Sequence, residues 1–212
     1  MKIVLATKNP HKVQEMRAIL GDVWLGPGRR LELTSAAEMG VPNVTERATS
    51  LEDNATRKAV AVARYTNHWA LADDTGLEVD ALQGAPGVKT ARYAGPRATP
   101  QENMEKLLNA LEGVPLIGRT ARFRTQIVFT RMTVPDKSRC MSLRFPGTLE
   151  GYIAERPRGT SGFGYDPIFI VKEDPALRTL AEMTLLEKNM ISHRAKALWQ
   201  FRNVLITQLL KF

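Results

Sequence analysis

Two adjacent carboxylates, Asp73 and Asp74, follow an apolar run in Ala72-Asp73-Asp74-Thr75-Gly76. Like charges side by side at a strand exit repel, and each raises the cost of ionising the other unless something positive compensates. Mg2+ would do so, because it takes one or two carboxylates and fills its remaining positions with water and phosphate oxygens. The same tetrad is also good turn composition, so the pair alone does not decide between a metal site and a polar turn.

Other segments carry complementary chemistry. Thr7-Lys8-Asn9-Pro10-His11-Lys12 joins an apolar strand to a helix. A strand-to-helix turn of this kind presents backbone N–H groups and a positive helix end to an anion. Thr7 and Asn9 add polar side chains and Lys12 a charge, although an ordinary capped helix would look the same. Ser50-Leu51-Glu52-Asp53-Asn54-Ala55 starts another helix, and its acids have a structural reason in the helix dipole. Thr160-Ser161-Gly162-Phe163-Gly164-Tyr165-Asp166-Pro167 surrounds an aromatic with glycines, which allows close backbone approach and stacking on a base, or a lid over core. In Glu187-Lys188-Asn189-Met190-Ile191-Ser192-His193-Arg194, one continuous helix would set Lys188 and His193 about 140° apart. Two shorter helices are more economical, with Thr184 and Glu187 as a capping box and Ser192 capping the second. His193 and Arg194 then occupy a helix N-terminus, where cations are unfavourable without an anion. Together these segments supply phosphate donors, metal carboxylates, a stacking aromatic and a cationic clamp, which are the parts of phosphoryl chemistry.

The elements that must position them read as an α/β protein with a mixed sheet in two lobes. Lys2–Ala6, Leu31–Thr34, Trp69–Asp73, Leu77–Leu82, Cys140–Phe145, Tyr152–Ala154 and Ile168–Val171 are predicted strands, with a half-buried strand around Phe123 to Phe129. Helices are predicted over His11–Leu20, from Ser50 to about Arg64, over Pro100–Leu111 and at the C-terminal end. The successive strands of 120–155 predict an antiparallel portion.

The 212 residues suit one domain of two lobes, with 43% hydrophobic and 25% charged residues. No apolar run approaches a membrane span, and the opening residues lack the apolar length of a secretory signal. A single cysteine, Cys140, fits a reducing compartment, so a cytoplasmic location is expected. The net charge of +8 and a pI of about 9.8 favour anionic partners. A phosphate-loop enzyme is disfavoured because G-x-x-x-x-G-K-[ST] is absent. A nucleic-acid-binding module is disfavoured by the lack of a basic helix, zinc spacing or an RNA-recognition aromatic pattern.

The ordered set of motifs resembles the inosine and xanthosine triphosphate pyrophosphatases, which remove non-standard purine nucleotides. The matching residues are Thr7-x-Asn9-x-x-Lys12, Asn54-Ala55-x-x-Lys58-Ala59, Ala72-Asp73-Asp74-Thr75-Gly76-Leu77, Gly84-Ala85-Pro86-Gly87, Ala91-Arg92-Tyr93-Ala94-Gly95, Gly162 to Phe169, and Lys188 with Ser192-His193-Arg194. The resemblance implies an elongated mixed sheet with flanking helices, two lobes around a central nucleotide cleft within one domain over residues 1–212, and a homodimer. It implies cleavage of ITP, dITP and XTP to the monophosphate and pyrophosphate with Mg2+. By it, the segment Thr7, Lys8, Asn9, Pro10, His11 and Lys12 holds the triphosphate. Asp74 is metal ligand and general base, supported by Asp73 and Lys12, with Thr75 beside it. Phe163, Gly164, Tyr165, Asp166, Lys188, His193 and Arg194 form the base and sugar pocket. Four departures stand out: Asp53 occupies the position of a metal-binding Glu, with Glu52 behind it as the alternative; Thr75 replaces Ser; His11 replaces Gly; and Lys89-Thr90 replaces Tyr-Ser.

Overall fold

The computed structural model describes residues 1–24, 26–45, 48–132 and 140–207. Its strands are β1 (Lys2–Leu5), β2 (Glu32–Ser35), β3 (Trp69–Val79), β4 (Pro86–Gly87), β5 (Thr120–Met132), β6 (Cys140–Ile153) and β7 (Phe169–Val171). Its helices are α1 (Pro10–Leu20), α2 (Leu51–Thr66), α3 (Pro100–Ala110), α4 (Leu185–Ile191) and α5 (His193–Thr207). The strands form one mixed sheet in the order β2-β1-β3-β5-β6-β7, with β4 paired to β3. β1 is parallel to β2 and β3, with Val4 opposite Thr34 and Ala70. β7 runs antiparallel to β6, with Tyr152 opposite Ile170. The mixed α/β class is therefore the one that the alternation of strands and helices predicts.

The chain divides into two compact units. The first comprises Met1–Asp74, Thr125–Gly147 and Arg194–Phe212; the second comprises Thr75–Arg124 and Thr148–His193. In the first unit, strand alternation separates two apolar layers. Ile3, Leu5 and Leu71 pack with Val13, Met16 and Ile19 of α1 and Ala195, Leu198 and Phe201 of α5. Val4, Ala6, Ala70 and Ala72 pack instead with Ala55, Ala59 and Val62 of α2. In the second unit, Met104, Leu107 and Leu111 on and just beyond α3 pack with Leu77, Val79, Phe123, Leu149 and Phe169.

Capping explains the helix starts. Ser50 accepts from the Asp53 amide at the start of α2, and Thr99 forms a capping box with Glu102 at α3. Thr184 does the same with Glu187 at α4. The break at Ser192, whose backbone is extended, separates α4 from α5, as the two-helix reading of this segment expects.

Two predicted interruptions are corrected. Trp69–Asp73 and Leu77–Leu82 are not partner strands: a single strand, β3, runs from Trp69 to Val79 through Asp73-Asp74-Thr75-Gly76. The turn preference of those residues is overridden because both carboxylates find partners without reversing the chain. Likewise the segments Cys140–Phe145 and Tyr152–Ala154 lie on or beside one strand, β6, in spite of Pro146 and Gly147. Between β3 and α3, the irregular segment holds β4 and a 3-10 turn at Thr90–Arg92.

Candidate active site

The alternation of β3 distributes the two aspartates. Asp73 continues the row of Leu71 toward α1 and α5, and Asp74 continues the row of Ala70 and Ala72 toward α2. Adjacent carboxylates are thereby kept apart, and protein cations answer each one. Lys12 of α1 donates to Asp73 Oδ1, and Arg194 Nε donates to Asp73 Oδ2 at 2.9 Å. On the other face, Lys58 of α2 donates to Asp74 Oδ1 at 2.8 Å and to the Asp73 carbonyl at 2.6 Å. The compensation that suggested a metal from sequence is supplied in part by these side chains.

Arg194 also donates to Glu15 of α1, so its guanidinium joins α5, α1 and β3. Its placement resolves the conflict of a cation at the start of α5: the required anions are Asp73 and Glu15. Glu15, Asp73 and Asp74 balance Lys12, Lys58 and Arg194 in charge, and most of this cluster is buried. Burial alone would raise the Asp73 carboxyl, but Arg194, Lys12 and Lys58 hold it well below the usual carboxylate range. Burial depresses the Lys12 ammonium, and Arg194 and Lys58 add to that against the pull of Asp73. For Arg194, burial opposes the charge, but Asp73 and Glu15 outweigh it and raise its pKa.

Asn9 caps α1. Its side-chain oxygen accepts from the amides of His11 at 2.9 Å and Lys12 at 3.4 Å, and its own amide donates to Thr7 Oγ1 at 3.2 Å. Lys8, Pro10 and His11 are exposed, whereas Thr7, Asn9 and Lys12 are half-buried. Thr75 is half-buried beside Asp74. In the first turn of α2, exposed Asp53 accepts from Ser50 Oγ at 2.8 Å. Glu52 points to a different partner, Arg144, at 2.7 Å.

A second constellation lies within the other unit. Asp166 accepts from the Phe163 amide at 2.8 Å and from Lys188 Nζ at 2.6 Å. The Lys188 ammonium also stands 4.7 Å from the centre of the Phe163 ring, a cation–π arrangement. Gly162 is required for this turn, because a Cβ there would lie 2.1 Å from Asp166 Oδ2 and its φ is +76°. Gly164 follows at φ +63°. Buried Tyr165 donates its hydroxyl to the Thr90 carbonyl at 2.9 Å, and burial raises its pKa. His193 is buried and stacks on Phe123, with ring centres 4.7 Å apart.

Of the residues predicted for the base pocket, Phe163, Asp166 and Lys188 are in direct mutual contact. Arg194 is bonded to Asp73 and Glu15 in the acid cluster. Lys58, Glu15 and Thr125 were absent from the predicted site residues. Lys58 and Glu15 had a signal: each is a charge among the buried positions of its helix, Lys58 with Ala55, Ala59 and Val62, and Glu15 with Val13, Met16 and Ile19. A charge at such a position needs a buried counter-charge.

Among the described residues, no group of three or more His, Cys, Asp or Glu side chains could by itself hold a metal. Exposed Asp53 and the carboxylate of Asp74 are oxygen donors of the kind that Mg2+ takes. No helix among the described residues is long and apolar enough to cross a membrane.

Comparison with known proteins gives a consistent result. A family model described as "Ham1 family" matches residues 3–204. A dITP/XTP pyrophosphatase of Bacillus subtilis (strain 168) is 44% identical over 203 residues, covering 95% of this chain and 96% of the relative. A dITP/XTP pyrophosphatase of Vibrio vulnificus (strain YJ016) is 46% identical over 200 residues, covering 94% of each. Among solved structures, a HAM1 protein from Coxiella burnetii aligns with a TM-score of 0.81 and 40% identity, covering 97% of this chain and 98% of that one.

Proposed function

This chain belongs to the Ham1 family, and we propose that it hydrolyses ITP, dITP and XTP to the nucleoside monophosphate and pyrophosphate. The relatives' activity supports the reaction, and the single structural observation that carries the assignment of roles is the placement of Asp73 and Asp74 on opposite faces of β3. It gives the two carboxylates different work. Asp73, locked between Lys12 and Arg194, sets the position of the lysine nearest the α1 phosphate segment. Asp74, held on one oxygen by Lys58, orients the attacking water and accepts its proton.

In the reaction, the water oxygen bonds to the α-phosphorus, the bond from that phosphorus to the bridging oxygen breaks, and pyrophosphate leaves. Thr7, Asn9 and Lys12 hold the leaving phosphates, where a lysine charge stabilises the departing oxygens. Asp74 and Asp53 are the residues that would hold Mg2+, which would supply charge neutralisation on the triphosphate. Phe163 offers its ring to the purine, with Lys188 and Asp166 fixing that ring and His193 completing the pocket. A 6-keto purine accepts a hydrogen bond where adenine donates one, so a donor at that point rejects ATP.

We further propose that the chain works in the cytoplasm as a homodimer, with residues 1–212 as one catalytic domain. The lone Cys140 supports a reducing compartment. Sedimentation at assay concentration tests the dimer. Pyrophosphate release from ITP, XTP, GTP, ATP and dTTP, with magnesium and with EDTA, tests the function. Magnesium-dependent cleavage of ITP and XTP far above the others is expected. Preference for dTTP would instead assign a pyrimidine pyrophosphatase, and no release would overturn the assignment.

A further inference from the structure

Thr125 is a polar residue in an apolar row. On β5, Ala121, Phe123, Ile127 and Phe129 share its side of the strand and all are buried. Thr125 itself is only 3% exposed. A hydroxyl placed among apolar neighbours is costly unless it is hydrogen-bonded, so its partners indicate its use. Its Oγ1 lies 2.9 Å from Asp73 Oδ2 and 3.0 Å from the carbonyl oxygen of Asp74. Both are acceptors with the aspartate ionised, and the hydroxyl carries one proton, so that proton is shared between a side chain and the neighbouring peptide group.

We infer that Thr125 is a positioning residue for the hydrolytic reaction: its hydroxyl ties the Asp73 carboxylate to the Asp74 peptide and thereby fixes the backbone from which the Asp74 side chain projects. The opposite side of the same backbone is held by Lys58, which donates to the Asp73 carbonyl and to Asp74 Oδ1. The two anchors are complementary. Lys58 reaches the carboxylate of Asp74 and the peptide before it, while Thr125 reaches the peptide after it. A carboxylate that must orient a water needs both its side chain and its supporting backbone held, and small displacements at such a group cost rate rather than binding.

This assignment rests on the proposed reaction, and the test separates the two. Thr125→Val keeps a β-branched residue of the same shape and removes the hydroxyl; Thr125→Ser keeps the hydroxyl and removes the methyl. With ITP as substrate, T125V is expected to lose about 10–100-fold in kcat, as for other residues that orient a reacting group from behind, with KM unchanged. T125S should recover most of that loss. Amide hydrogen exchange over Asp73 to Leu77 should quicken in T125V and not in T125S, a measurement that needs neither metal nor turnover. Wild-type kcat in T125V, a change confined to KM, failure of T125S to restore the rate, or unchanged exchange would each overturn the assignment. Absence of ITP and XTP turnover in the unsubstituted protein would overturn the proposed function, while the exchange comparison would still decide whether Thr125 holds this backbone.

Discussion

At the scale of the residue, the two aspartates differ in what surrounds them, and that difference predicts different outcomes for the same substitution. Asp73→Asn removes the carboxylate paired with Lys12 and one of the two paired with Arg194, which keeps Glu15, leaving cations buried with one carboxylate fewer. Breaking a buried pair in this way costs about 3–5 kcal/mol, which urea unfolding will register. In Asp74→Asn, Lys58 keeps the Asp73 carbonyl as an acceptor and the new amide oxygen can still receive it. Turnover should be abolished, with a smaller loss of stability than in Asp73→Asn because Lys58 keeps both acceptors although it loses its paired charge; retained activity would remove Asp74 from its assigned role. The pH dependence follows from the same contacts. The folded Asp73 carboxyl titrates below its ordinary value of 3.8. Ionised Asp73 therefore contributes its full stability above that value, and the contribution is lost as pH falls toward and through the depressed folded value. As pH falls below about 4, Asp73→Asn should lose stability less steeply than the unsubstituted protein.

At the scale of the element, most of the framework could be read from local chemistry. The caps at Asn9, Ser50, Thr99 and Thr184 are short-range signals, and they start α1, α2, α3 and α4 where structure and sequence agree. The break at Ser192 followed from helical geometry together with the capping signals at Thr184, Glu187 and Ser192. Reading failed where distant segments decide. Turn-forming residues at Asp73 to Gly76 stay in β3 because Lys12, Lys58, Thr125 and Arg194 meet them there, and Arg194 reaches Asp73 across 121 residues of sequence. Nothing near Thr125 indicates that its hydroxyl meets β3, 52 residues earlier. The first turn of α2 supplies the test at this scale. Asp53 bonds the Ser50 cap, whereas Glu52 is turned to Arg144. Asp53→Asn should raise the magnesium concentration needed for half-maximal activity, and Glu52→Gln should leave it near wild type. The reverse result would assign the metal to Glu52.

At the scale of the whole molecule, the buried cluster around Asp73 is balanced, so the net charge of +8 resides elsewhere. An excess of positive charge attracts a polyanionic substrate before any specific contact forms, and this attraction acts on encounter rather than on chemistry. Its range is set by salt: the screening length is about 30 Å at 0.01 M and about 8 Å at 0.15 M. Raising ionic strength over that interval should lower kcat/KM for ITP while kcat stays constant, because the bound triphosphate is held by close contacts that salt screens far less. Initial rates at fixed magnesium, with the salt varied, provide the measurement. A parallel fall in kcat would mean that salt reaches the cluster itself or competes for the metal. A flat kcat/KM would mean that the charge is dispersed over solvated faces without steering the substrate. The same series with duplex DNA tests the other use of a basic surface: steep salt-dependent binding without triphosphatase activity would favour a nucleic-acid partner.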